Sequence, residues 1–219
     1  MAEAPGAKPV VEEFLMRQRE MCARRSVMLY GMEHRDMASL EDGLAKIRRA
    51  PQDAGTVELM VRRPTPEERE VVAEAQLDPT AGLVGDCWRE RGSRATDDGS
   101  AHPEMQLTMM GARAAALIAG NYERWPLAGD QLYVELDLSA ANLPPGTLLE
   151  VGSAKIEITD KPHTGCGKFV RRFGLDAMKF VNTPVGRELN LRGIYARIVT
   201  GGTVRTGDPI RKVATTRPR

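Results

Sequence analysis

The segment Lys161-Pro162-His163-Thr164-Gly165-Cys166-Gly167-Lys168-Phe169 holds the residues best suited to chemistry, a cysteine between two glycines and three positions after a histidine. The glycines leave the sulfur unobstructed and permit backbone conformations with positive φ. A thiolate is both a nucleophile and a soft metal ligand, and unpaired amides at a helix start, Lys168 or a protonated His163 would each favour its formation. Other readings stay open on the same residues. Cys166 can be a small side chain tolerated in a tight strand-to-helix turn. With His163 it can be half of a zinc site, completed by Cys87, His102, His34 or carboxylates. The two can also form a cysteine–histidine nucleophile pair, provided that residues three apart in a turn point together.

Other side chains carry weaker signals. Asp86, in the glycine-rich loop Gly82-Leu83-Val84-Gly85-Asp86, can orient a ligand, brace an arginine or simply close an Asx-turn. Trp88 with Arg89, Arg91 and Arg94 can form an anion site under an aromatic lid, or a solvated charged loop. Arg171-Arg172 and Lys179 can bind phosphate or line an exposed helix face. Asn182-Thr183-Pro184 starts a turn, with Asn182 a candidate pocket residue.

These residues need elements to position them. Val11, Phe14, Leu15, Met21 and Cys22 mostly recur at three- and four-residue spacing, which predicts a helix over residues 10–25, and Leu40, Leu44 and Ile47 predict another over 37–47. The turn formers of residues 50–55 then give way to a period of two in Thr56-Val57-Glu58-Leu59-Met60-Val61, where the main domain starts. Thr65-Pro66-Glu67-Glu68 has the form of a capping box and predicts a helix to about Gln76. Residues 82–99 read as a long loop, 106–110 as a strand and 112–119 as a helix ending at Gly120-Asn121. From Gln131, Leu132, Val134, Leu136 and Leu138 alternate with Tyr133, Glu135 and Asp137, as in a half-buried strand. Further strands are predicted at 148–151, 155–159, 193–200 and 203–213, with a helix over 168–180 interrupted at Gly174. Short strands separated by turns favour a barrel or sandwich.

In that order, Gly82-Leu83-Val84-Gly85-Asp86, Gly129-Asp130-Gln131-Leu132-Tyr133-Val134, Leu143-Pro144-Pro145-Gly146-Thr147, Val151-Gly152-Ser153-Ala154-Lys155-Ile156-Glu157-Ile158-Thr159 and His163-Thr164-Gly165-Cys166 resemble the MOSC domain family. The resemblance implies a mainly β fold, a closed MOSC-type β-barrel with peripheral helices over residues 55–213. An N-terminal helical extension over 1–54 and a frayed tail over 214–219 complete the expected organisation. The resemblance also implies binding of the molybdenum cofactor (molybdopterin), independent of pyridoxal phosphate, with Cys166 as metal or sulfur ligand. With the readings of the residues above, Cys166 and His163 are the catalytic candidates, and Asp86, Arg94, Arg124, Thr164, Gly165, Lys168 and Asn182 the cofactor-binding ones. In family reductases the cysteine ligates molybdenum and the substrate is N-hydroxylated; elsewhere the domain accompanies a cofactor sulfurase. The chain departs from the reductase pattern at Gly129-Asp130, where an arginine-asparagine pair is general, and at Cys87, where a basic residue is common. An anionic cofactor would lose two donors there, with Arg124 a nearby substitute. A molybdenum-independent sulfur-transfer or carbon–sulfur enzyme and a non-catalytic carrier are the alternatives.

Composition narrows the partners. The 219 residues are 42% hydrophobic and 28% charged, as in an ordinary globular chain. Thirty-one basic and thirty acidic side chains leave a formal charge of +1, so no global field draws the protein to nucleic acid or an acidic membrane. A small-molecule substrate or cofactor is expected, with a redox or sulfur-donor protein as a further partner. Three cysteines, Cys22, Cys87 and Cys166, are too few for a disulfide framework, and the N-terminus lacks a basic stretch followed by an apolar one. A cytoplasmic location is the expectation.

Overall fold

A computed structural model describes residues 34–213; the helix expected over 10–25, Cys22 and the tail over 214–219 lie outside the described residues. Residues 35–213 belong to one compact unit. Within it, α1 (Met37–Asp42) and α2 (Leu44–Ile47) divide the helix expected over 37–47 at Gly43, which packs closely against the Leu117 side chain. Asp36 caps α1 by accepting the Ser39 amide, and Leu40 is fully buried.

Seven strands close a barrel. They are β1 (Ala54–Arg62), β5 (Leu107–Gly111), β6 (Leu132–Glu135), β7 (Leu148–Val151), β8 (Ala154–Ile158), β9 (Ile194–Thr200) and β11 (Pro209–Lys212). The order around the ring is β11-β7-β8-β9-β5-β6-β1, and β1 pairs back to β11. Every pairing is antiparallel except β5 with β6. A parallel step cannot be made by a hairpin. The chain therefore crosses from β5 to β6 through α4 (Ala112–Ala119) and a 3₁₀ helix (Tyr122–Ala128). A short β2 (Glu70–Val72) extends the ring from β1, while β3 (Glu74–Asp78), β4 (Gly82–Leu83) and β10 (Gly202–Arg205) make a separate small sheet.

The barrel wall is buried on both faces. Val57, Met60, Met109, Leu132, Val134 and Ile156 fill the interior, whereas Leu59, Val61, Met110 and Tyr133 pack outward against a helical layer. Tyr133 is thus not on a polar face, as its alternation suggested. It is fully buried beneath the crossover, and its hydroxyl donates to the Trp125 carbonyl at 2.5 Å. The layer over it is completed by α5 (Gly167–Asn182) and α6 (Pro184–Glu188).

Three other expectations change. No helix forms over 65–76: after a loop, Ala75 and Leu77 turn inward while Glu74 and Gln76 face out, and β3 pairs with β10 over Glu74–Leu77. A period of two that finds a partner strand outweighs an isolated capping box. The loop over 82–99 contains β4 and a single turn of helix, α3 (Trp88–Arg91). The strand over 203–213 is two strands, β10 and β11, divided by a turn with Gly207 at φ 90°.

The interruption at Gly174 is present, with φ 89° and ψ 169° inside α5. Only glycine adopts that region without strain. The kink lets Phe169 and Phe173 on one side, and Ala177 and Phe180 on the other, all reach the same buried layer. Gly174→Ala should lower unfolding free energy by about 1–3 kcal/mol in urea denaturation; an unchanged midpoint would show that the kink is not held in place.

Candidate functional site

A cavity of about 190 Å³ opens where the loop after β1, the α3 loop, the end of the crossover and the start of α5 converge. Its walls carry Arg63, Arg69, Arg91, Lys168, Arg172 and Arg192, together with His163, Cys166, Phe169 and Tyr195. Three carboxylates touch these cations: Asp86, Asp130 and Glu67. Six cations met by three anions leave a strongly positive cavity.

The chain holds the arginines with its backbone. Arg172 donates to the Leu127 carbonyl at 2.8 Å, Arg192 to Ala128 at 2.9 Å and Arg63 to Gly129 at 2.9 Å. Three successive carbonyls at the end of the 3₁₀ helix thus each take one guanidinium. Gly129, at φ 92°, completes the turn that presents them. A side chain there would approach Arg69, whose Nη2 lies 3.4 Å from the Cβ position. Arg63 is held again by Asp86, which accepts from Nε at 2.8 Å and Nη2 at 2.9 Å, and from the Arg63 and Trp88 amides. Such fork-to-carboxylate pairing is rigid and directional.

What remains unpaired points to a ligand. Among the described residues, Nε of Arg69 and of Arg192 are buried with no hydrogen-bond partner. Burial and the neighbouring charges of Arg172 and Arg63 lower the Arg69 pKa, as expected where like charges crowd. Buried donors without acceptors are costly, and an anion in the cavity would satisfy them. Glu67 already answers part of this demand: its exposed carboxylate bridges Lys168 and Arg172 across the mouth. An entering anion competes with it.

His163 and Cys166 reach the same wall. Cys166 stands at the start of α5, exposed, and its carbonyl accepts the Phe169 and Val170 amides. The His163 side chain is 8% exposed, against Tyr195 with ring centroids 4.6 Å apart. Burial first, then the charges of Arg192 and Arg63, hold its pKa well below the usual range, so the imidazole is neutral.

Of the residues singled out from sequence, the structure brings His163, Cys166 and Lys168 to the cavity wall, together with Trp88, Arg91 and Arg172 but not Arg89. Asp86 stands behind the wall, bracing Arg63. Arg94, Arg124, Thr164, Gly165 and Asn182 are not on it. Arg94 and Thr164 are exposed. Arg124 is buried, donates to the Ala119 and Arg172 carbonyls and lies over the Phe173 ring, so it joins the crossover to α5 and does not replace a pocket cation. Gly165 backs onto Met178, and Asn182, the last residue of α5, donates to the Met178 carbonyl. No three histidines, cysteines or carboxylates gather as a metal site among the described residues, so the zinc half-site is not completed. His102 caps the turn before β5 and also lines the cavity.

Sequence reasoning missed Arg63, Arg69 and Arg192, and it left Arg172 undecided between phosphate binding and an exposed face. The signal was faint. Arg192 lies between buried Leu191 and Gly193 at the foot of a strand, an unusual place for a solvated arginine.

Two outcomes follow from this geometry. Glu67→Gln should tighten binding of inorganic pyrophosphate several-fold in calorimetry; equal or weaker binding would show that the carboxylate does not compete. The second concerns acid. The unfolded chain takes up a proton at His163 near the ordinary value of 6.5, which the folded chain refuses. The stability this residue allows is therefore intact above that pH and drains below it, at up to about 1.4 kcal/mol per pH unit. Urea melts between about pH 7.5 and 5.5 should decline less steeply for His163→Gln than for the wild type. Equal slopes would remove His163 as the source.

Comparison with known proteins agrees with the fold. It is similar to that of the YuaD protein from Bacillus subtilis, 16% identical with a TM-score of 0.54, over 72% of this chain and 94% of that one. It is similar also to a hypothetical protein, 20% identical with a TM-score of 0.52, over 74% and 69% of the two chains. YiiM from Escherichia coli, 19% identical, gives a TM-score of 0.48 over 74% and 72%. The comparison with curated proteins found no match. None of the described helices is long and apolar enough to cross a membrane. The sequence model of the MOSC domain matches residues 98–211, more than half of the chain, and takes in Asp130, His163, Cys166, Arg172 and Arg192. By that match and by its closed barrel, the chain belongs to the MOSC domain family.

Proposed function

We propose that the cavity binds the molybdenum cofactor, with its anionic phosphate among the arginines and Cys166 as the sulfur donor to the metal. The observation that carries this reading is an exposed thiol beside buried arginine donors that lack acceptors. The donor set fits the group: guanidinium forks suit phosphate, and a cysteine sulfur suits a soft metal. When bound, the cofactor supplies oxygen-atom and electron transfer at molybdenum.

The chain's own residues then have distinct parts. Arg63 and Arg192, fixed by carboxylates and carbonyls, hold the anion in one orientation without reorganising. Arg69 offers Nε from the loop before β2 and stands where Gly129 leaves space. It thereby supplies a cation at the position where family reductases carry an arginine on the chain itself. Trp88, Phe169 and Tyr195 give the cavity flat apolar surfaces that exclude water. Acting as a reductase would also require an electron-donor protein.

The test is the content of the protein as isolated from a host that makes the cofactor. Molybdenum and pterin should approach one per chain, fall sharply in Arg69→Gln, and in Cys166→Ser the metal should be lost first. Absence of both from the wild type, with no uptake from added cofactor, would end this reading. The exposure of Cys166 favours one alternative, a sulfur carrier or sulfur-transfer enzyme. Its mark would be one added sulfur atom in the intact mass, absent in Cys166→Ser.

A further inference from the structure

Asp130 follows the carbonyls that hold the arginines and is fully buried. One carboxylate oxygen, Oδ2, accepts from Arg192 at 2.7 Å. The other, Oδ1, has no partner among the described residues, and 3.6 Å away Nδ1 of His163 has none either. Gly193 makes this approach possible, because a Cβ at that position would stand 3.2 Å from Nδ1. Two buried polar atoms that face each other alone must serve each other, or each bears a desolvation cost.

The protonation state follows from what surrounds the ring. Facing His163 are the Arg192 and Arg63 charges, the Asp130 carboxylate and the Tyr195 ring, with Cys166 and Lys168 on the same wall. The two guanidinium groups oppose an imidazolium, so one nitrogen carries the single proton. With Asp130 ionised in its pair with Arg192, a proton on Nε2 would leave lone pairs on Nδ1 and on Asp130 pointing at each other. A proton on Nδ1 turns the same contact into attraction, and a small rotation closes it to hydrogen-bond length.

We infer that Asp130 is a positioning residue that fixes His163 as the neutral Nδ1–H imidazole, making Nε2 a permanent acceptor and selecting ligands that present an O–H or N–H donor beside an anionic group. This rests on the cavity's being an anion site, and it adds a discrimination that arginines alone cannot make. Guanidinium groups hold any dianion of suitable size. An acceptor that cannot become a donor also rejects an anion with no proton to give.

Hydrogen phosphate and sulfate are matched dianions, and only the first carries a donor. Calorimetry at about pH 8 should show phosphate preferred over sulfate by on the order of tenfold, with the preference abolished in His163→Gln. Equal affinities in the wild type would overturn the inference. If neither anion binds, the anion reading of the cavity falls, and the tautomer is decided by spectroscopy alone. The chain has three histidines, which makes long-range proton–nitrogen NMR correlation tractable. One imidazole should show a protonated Nδ1 and a bare Nε2, disappear in His163→Gln and shift to the Nε2–H form in Asp130→Asn. An Nε2–H form or an imidazolium at neutral pH in the wild type would overturn the inference, even if Asp130→Asn does not fold.

Discussion

Guanidinium groups repel one another, and the wall of this cavity depends on how that repulsion is offset. Arg63, Arg172 and Arg192 are brought side by side by three consecutive carbonyl oxygens, and two of them, Arg63 and Arg192, also pair with buried carboxylates. Neither device suffices alone. Carbonyl dipoles orient the planar groups but carry no net charge, and removing one member of a buried ion pair typically costs about 3–5 kcal/mol. Together they keep positive charge concentrated in a space that would otherwise expel it.

The compensation is graded from the interior outward. Asp86 and Asp130 have no exposed side-chain surface and answer the innermost arginines. Glu67, with 63% of its side chain exposed, answers Lys168 and Arg172 at the rim. Buried pairs in a low-dielectric setting stay fixed, while exposed ones exchange readily with solvent and ions. An approaching anion therefore meets a yielding outer contact first and a preformed inner one second.

The fold was legible where local chemistry and tertiary demand agree. The strands at 148–151 and 155–159, the α4 helix and the break at Gly174 carry their reasons within a few residues. The segment 65–76 misled because its capping signal is local, whereas the pairing of β3 with β10 joins residues more than a hundred positions apart. The site divided in the same way. His163, Cys166 and Lys168 lie in one run and were found together. Arg63, Arg69 and Arg192 come from three separate stretches and converge with Arg172 only through the barrel, so no spacing rule reaches them. Arg124 misled for the opposite reason: it is near Gly129 in sequence, yet its guanidinium turns away toward α5.

The single parallel pairing, β5 beside β6, ties the barrel to the cavity. Because β6 must begin at the same end as β5, the crossover has to travel the full height of the wall and arrive just before Gln131, next to the end of β1. Its last residues, 127–129, thereby arrive beside Arg63, with Gly129 completing the turn. What that segment offers the arginines is its carbonyls, so beyond the glycine at 129 it is the length that is fixed. One residue more or less would leave the ring of strands closed and shift every carbonyl off its arginine. A change of length along the crossover is therefore what would separate a folded barrel from a working pocket.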